Sequence, residues 1–113
     1  MTQFIQISTT TATEEEAQRI ARGLVASRLV ACAHVYPMKS IYQWHGKLEE
    51  DNEWHCQLKT RQSLFDRVAT EIRKLHTYDC PQIIAVPIVE GGAEYLTWMD
   101  EGLESSHLPV LEE

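Results

Sequence analysis

Side chains alternate between apolar and polar almost without fault from Ile41 to Leu48 and again from Glu53 to Thr60. Tyr42, Trp44 and Leu48 share one parity with Trp54, Cys56 and Leu58; Gln43, His45, Lys47, Glu53, His55, Gln57 and Lys59 hold the other. A two-residue period is the mark of half-buried strands, so the pattern predicts a long β-hairpin. Eight residues already reach ~26 Å at ~3.3 Å each. His45-Gly46 is the preferred turn, with positive φ at the glycine; the acidic stretch from Glu49 to Asn52 is the alternative. The preferred turn makes the third strand run from Lys47 to Thr60. Strict pairing about it would mismatch the two parities, so a bulge is expected.

The flanking segments complete the order of elements. Phe4 to Ser8 reads as a first strand. Thr13-Glu14-Glu15-Glu16 is a capping box, in which Thr13 bonds the Glu16 amide and the Glu16 side chain reaches back. Ala17, Ile20, Ala21, Leu24 and Val25 then form the apolar stripe of a helix ending near Arg28. Val30 to Val35 is a second strand that meets Pro37 and continues into the hairpin. Leu64, Phe65, Val68, Ala69 and Ile72 mark a second helix, with Thr60 or Ser63 as candidate caps. Ile83 to Val89 is a fourth strand, and Tyr95, Leu96, Met99 and Leu103 trace a third, C-terminal helix.

The order β-α-β-β-α-β plus a helix predicts an α+β, ferredoxin-like single domain over residues 1–113. Strands one and three should be central. Proline cannot donate to a sheet ladder, and Pro37 and Pro87 fall in strands two and four, which the topology places at the edges. Two tryptophans and a tyrosine on one face of the ribbon need a surface to pack on, and a second copy of the chain is the expected one.

Composition narrows the function. The 113 residues carry 17 acidic and 10 basic side chains, a formal charge of −7. Without a Lys/Arg cluster, nucleic acid is an unsuitable partner. Three widely spaced cysteines, Cys32, Cys56 and Cys80, with no C-x-x-C, point to a reducing compartment. The first residues are too short and polar a stretch for a signal peptide, and no apolar run reaches the ~18 residues of a membrane span. A cytoplasmic location is expected. In the tail, Leu108, Val110 and Leu111 are expected to dock.

Several spaced motifs carry a family likeness. Ala31-Cys32 with Pro37, Ile41-Tyr42-x-Trp44-x-Gly46-Lys47-Leu48-Glu49, Glu53, Leu58-Lys59-Thr60, His76-x-Tyr78-x-x-Pro81 and Tyr95-Leu96-x-Trp98 together resemble the CutA family of divalent-cation tolerance proteins. The resemblance implies a tight homotrimer, related in fold to PII-like signalling trimers, that responds to copper and other divalent cations. Family members with a described copper site have a Cys ending strand one and paired His residues before the Tyr. Here those positions hold Ser8-Thr9 and Leu75-His76, so only His76 matches.

The metal candidates are therefore His76 and Cys80, close in sequence and chemically suited to copper. A hydrogen-bonded residue of the subunit interface is the alternative for His76. Cys32 and His34 share a strand face, where Cys32 also reads as a small buried hydrophobe. The acids from Glu49 to Glu53 could hold a divalent ion weakly, or simply keep that face solvated. A ligand pocket is expected from Trp44, Lys59, Tyr78 and Trp98, with Lys59 near a helix start for an anion; the two tryptophans would otherwise fill the trimer interface. Thr77 stands where the family has Pro, and Gln82 where it has Glu. No hydrolytic triad, phosphate loop or organic cofactor motif is present, so the expectation is binding of copper or another divalent cation, without catalysis. The alternative is a PII-like trimer sensing an anionic metabolite or docking a partner protein.

Overall fold

The computed structural model describes residues 3–104. Its elements are β1 (Phe4–Thr11), α1 (Glu14–Ala26), β2 (Cys32–Trp44), β3 (Lys47–Arg61), a single 3-10 turn (Gln62–Leu64), α2 (Phe65–Leu75), β4 (Ile84–Ile88) and α3 (Ala93–Gly102). The four strands form one antiparallel sheet in the order β2-β3-β1-β4. Strands one and three are central, and both strand prolines lie on the edges, as expected. The Leu108, Val110 and Leu111 segment lies outside the described residues.

One sheet face is packed and the other is bare. Ile5, Ile7, Cys56 and Leu58 point from β1 and β3 toward Ile20, Leu24, Val68 and Ile72 of the two long helices, and all eight are buried. Burial on this scale supplies the main favourable contribution to folding. On the opposite face the aligned residues are Phe4, Gln6 and Ser8 with Ile88, Val86 and Ile84, and Lys59 and Gln57 with Cys32 and His34. Ile84 and Val86 there are exposed.

The hairpin turns at His45-Gly46, with φ of 52° and 78°. Both values are positive, the requirement of a tight type I′ turn. Beyond it the ladder runs without interruption from Trp44↔Lys47 to Cys32↔Lys59, straight through Pro37↔Trp54. No bulge occurs. A two-residue loop pairs an even-numbered residue with an odd-numbered one, so the expected shared face does not exist. Tyr42 and Trp44 lie on the face of Glu49 and Lys47, whereas Trp54, Cys56 and Leu58 lie on the other with Pro37, Val35 and Ala33. The apolar character that alternation seemed to concentrate on one side is spread over both.

β1 reaches only as far as Trp54. Met38 to Glu53 therefore project past the sheet as a two-stranded ribbon. It lengthens the molecule to 51 Å and raises the radius of gyration to 15.3 Å, above the ~13 Å of a compact domain this size. Apolar side chains stand free on both its faces: Tyr42 and Trp44 on one, Ile41 and Leu48 on the other.

Two local expectations change. Neither Thr60 nor Ser63 caps α2, which is entered through the 3-10 turn with no side-chain cap. The Thr60 hydroxyl instead donates to the buried Leu29 carbonyl at 2.6 Å. Arg28, in the left-handed region with φ 64°, donates from its guanidinium to the carbonyls of Glu101 and Gly102 at 3.1 Å. Arg61 pairs with Asp100 at 2.9 Å, so two cations pin α3 to the end of the sheet.

Candidate functional site

Where β1 stops, the ribbon and the connection from α2 to β4 enclose a cleft of about 450 Å³. Its lining comprises Thr10, Tyr42, Trp44, Glu53, Tyr78, Asp79, Cys80 and Gln82. Strand period places Tyr42 and Trp44 side by side on the ribbon, with Glu53 on the same face across from Met38. The other wall is held from behind by Glu16.

Glu16 lies in the first turn of α1 and is only 4% exposed. The Thr13 hydroxyl accepts from the Glu16 amide at 3.2 Å, the expected half of a capping box. The carboxylate does not reach back. It accepts from the Thr77 amide at 2.8 Å and from the Thr77 hydroxyl at 3.1 and 3.2 Å. The connection is thus tied to the helix start, where the dipole favours the negative charge. A proline at position 77 could not donate that amide.

The His76 side chain is fully buried and uses both ring nitrogens within the chain. Its Nδ1 accepts from the Tyr78 amide at 3.1 Å, which puts the proton on Nε2 for donation to the Thr10 carbonyl at 2.7 Å. This arrangement orders the Tyr78-Asp79-Cys80 wall. Next to it, the Glu53 carboxylate, 9% exposed, accepts from Ser40 Oγ at 2.6 Å and from Tyr78 Oη at 2.7 Å. Burial first, and the bond to Glu53 second, push the Tyr78 phenol well above its ordinary value.

Tyr42 donates to Asp51, and that bond, with minor burial and the neighbouring acids, pushes its phenol up to about 12. Its neutral form is therefore favoured in the fold below the ordinary phenol value and loses that preference as pH rises through about 12. Ultraviolet titration is expected to show this phenol ionising near 12, and Asp51→Asn is expected to bring it back toward 10. An unchanged curve in the variant would mean that the Asp51 bond does not form in solution.

The expected pocket residues divide between two places. Trp44 and Tyr78 line the cleft, and Cys80 lines it too. Lys59 and Trp98 do not. Lys59 lies opposite Cys32 on the bare face, with its ammonium 3.5 Å from His34 Nδ1. That is away from the helix-covered face, so Lys59 does not serve the start of α2. Trp98 stacks near Tyr95 on α3, with ring centroids 5.4 Å apart, and Tyr95 Oη lies 3.3 Å from Cys32 Sγ. Among the described residues no three His, Cys, Asp or Glu side chains group as a complete metal site. Glu53 comes from the acidic stretch expected either to hold a divalent ion weakly or to stay solvated, and of that stretch it alone lines the cleft. Sequence offers Glu16 only as a capping residue and Tyr42 only as part of the aromatic ribbon, and Asp79 carries no signal of its own.

Sheet order, helix packing and ribbon define a ferredoxin-like α+β fold with a projecting two-stranded arm. The chain belongs to the CutA1 divalent ion tolerance protein family, whose model matches residues 5–102. It is 42% identical to the divalent-cation tolerance protein CutA of Archaeoglobus fulgidus, over 80% of this chain and 88% of that one. A solved structure of periplasmic CutA from the same organism matches with a TM-score of 0.85 at 40% identity, covering 92% of this chain and 100% of that one. Rice CutA1 matches with a TM-score of 0.88 at 33% identity, covering 91% and 95%.

These relatives overturn the cytoplasmic assignment. The Archaeoglobus structure is of a periplasmic protein, and the rice and Arabidopsis relatives are chloroplastic. The physical reason is plain: unpaired cysteines show that the fold needs no disulfide, not which compartment holds it. All three thiols here are free, and burial pushes that of Cys56 up to about 12.

Proposed function

We propose that this chain, as a single-domain subunit of a homotrimer, acts in tolerance of divalent cations by binding them rather than by catalysis. The observation that carries the reading is the charge of the cleft. Glu53 and Asp79 line it with the Cys80 thiol, and among the described residues no Lys or Arg does. Such a lining concentrates cations and repels anions. An anionic ligand is the poorer fit, because Lys59 lies outside the cleft. Copper is the first candidate, since a thiolate suits it better than it suits hard ions. His76 would act by positioning Tyr78 and Cys80, its nitrogens being committed. The donors of one chain are too few to complete an inner sphere, so the remaining ligands would come from solvent or a neighbouring copy.

The trimer is the assembly implied by the resemblance, and the bare surfaces support it. A ribbon apolar on both faces is covered when it lies between neighbours, and a closed ring also buries open sheet edges that would otherwise aggregate. Calorimetric titration with copper and with zinc tests the binding. Saturable binding tighter than about 1 mM is expected for the native protein, weakened at least about tenfold in Cys80→Ser. Absence of saturation by either metal below about 1 mM would end the reading.

A further inference from the structure

The geometry points to a second class of ligand for the same cleft: a methylated or otherwise alkylated ammonium ion, held by the rings of Tyr42, Trp44 and Tyr78 and by the charge of Glu53. The inference uses the negative cleft of the preceding section but does not depend on a metal entering it.

Three aromatic residues line one cavity of about 450 Å³ together with the two acids. That volume lies within the range of small-molecule sites. Aromatic faces attract cations through their quadrupole, most strongly for Trp, and the attraction grows as the cation sheds water. A small divalent ion gains little from this, because it requires several oxygen or sulfur donors close in. An alkylammonium ion requires none. It carries its charge inside a shell of methyl groups, matching apolar walls and a carboxylate that need not coordinate it.

Glu53 has the right disposition for that role. It is 9% exposed and is held by two neutral hydroxyls, Ser40 Oγ and Tyr78 Oη, which orient the carboxylate without cancelling its charge. Neither Glu53 nor Asp79 enters a salt bridge among the described residues. The Tyr78 hydroxyl bonded to Glu53 ties one aromatic wall to the anion. The Tyr42 hydroxyl is likewise directed to Asp51. Two phenols spend their polar ends on carboxylates and leave their rings to form the walls. Trp44, 55% exposed, is the third and the least constrained.

The test is a titration of the assembled native protein with tetramethylammonium, followed by calorimetry and by tryptophan fluorescence, with neopentyl alcohol as an uncharged ligand of similar shape. Saturable binding with a Kd of about 1 mM or tighter is expected for the cation, and none for the alcohol. Trp44→Leu keeps apolar bulk but removes the ring, and should weaken binding about fivefold; Glu53→Gln keeps the shape and removes the charge, and should weaken it at least about tenfold. Circular dichroism and particle mass identify a variant that has failed to fold, in which case the other variant decides. No saturation by about 50 mM, equal binding of the alcohol, or unaltered affinity in a folded variant would each overturn the proposal. Copper binding without ammonium binding removes this inference alone. Ammonium binding with the stated ring and charge dependence, but no copper binding, supports it and removes the metal reading instead.

Discussion

Trp44→Ala is expected to destabilise the assembled protein by about 3 kcal/mol per subunit, the loss typical of a large aromatic removed from a packed site. Within its own chain the side chain buries little. Trp44 is 55% exposed there, and its nearest ring partner is His45 beside it in the turn, at 4.9 Å. Truncating an exposed side chain ordinarily changes stability by no more than about 0.5 kcal/mol. A large effect must therefore come from cover supplied by another copy over the part of the side chain that does not line the cleft. Melting followed at several protein concentrations, with light scattering for particle mass, distinguishes the two cases. A melting temperature equal to that of the unsubstituted protein would show that the ribbon tip stands bare in solution.

Glu16→Ala should cost about 3 kcal/mol, because it removes a buried charged acceptor from two donors of Thr77. Those donors are held at 2.8 and 3.1 Å, and the carboxylate sits 3.5 Å from His76 Nδ1. Glu16→Gln keeps one carbonyl acceptor and should lose roughly half as much. Urea unfolding measures both. Because Glu16 ties down the wall formed by Tyr78, Asp79 and Cys80, cation binding should also weaken in the alanine variant. A loss below about 1 kcal/mol would mean that His76 and its bond to Thr10 hold the connection without help.

Much of the fold was legible because local signals agreed with one another. The Thr13 cap, the stripe from Ala17 to Leu24, the turn at His45-Gly46 and the two edge prolines each have a mechanism confined to a few residues. Their order then leaves few possible topologies. Family membership was legible in the same way, from motifs spread between Ala31 and Trp98.

The faces of the hairpin escape the sequence pattern for a reason that is also local. Alternation runs along the chain, whereas a face is defined across the ladder, and a two-residue turn reverses parity between its strands. The pair Trp44↔Lys47 decides it. Tyr42 and Trp44 therefore turn toward the acids of β3 and away from Cys56 and Leu58. That reversal gives the cleft its aromatic wall.

The remaining division follows from the reach of each interaction. Backbone preference, capping and alternation act between residues a few positions apart, so the chain alone determined its strands, helices, edge positions and turn. The cleft depends on meetings across 25 to 66 positions: Tyr78 with Glu53, Thr77 with Glu16, His76 with Thr10. No pattern along the chain encodes such pairs, because burial and hydrogen-bond geometry select them only after the sheet has closed. Tertiary structure decided that Lys59 and Trp98 stand apart from Trp44 and Tyr78, and that Glu53 lines a cleft, nearly buried, instead of standing on a solvated face.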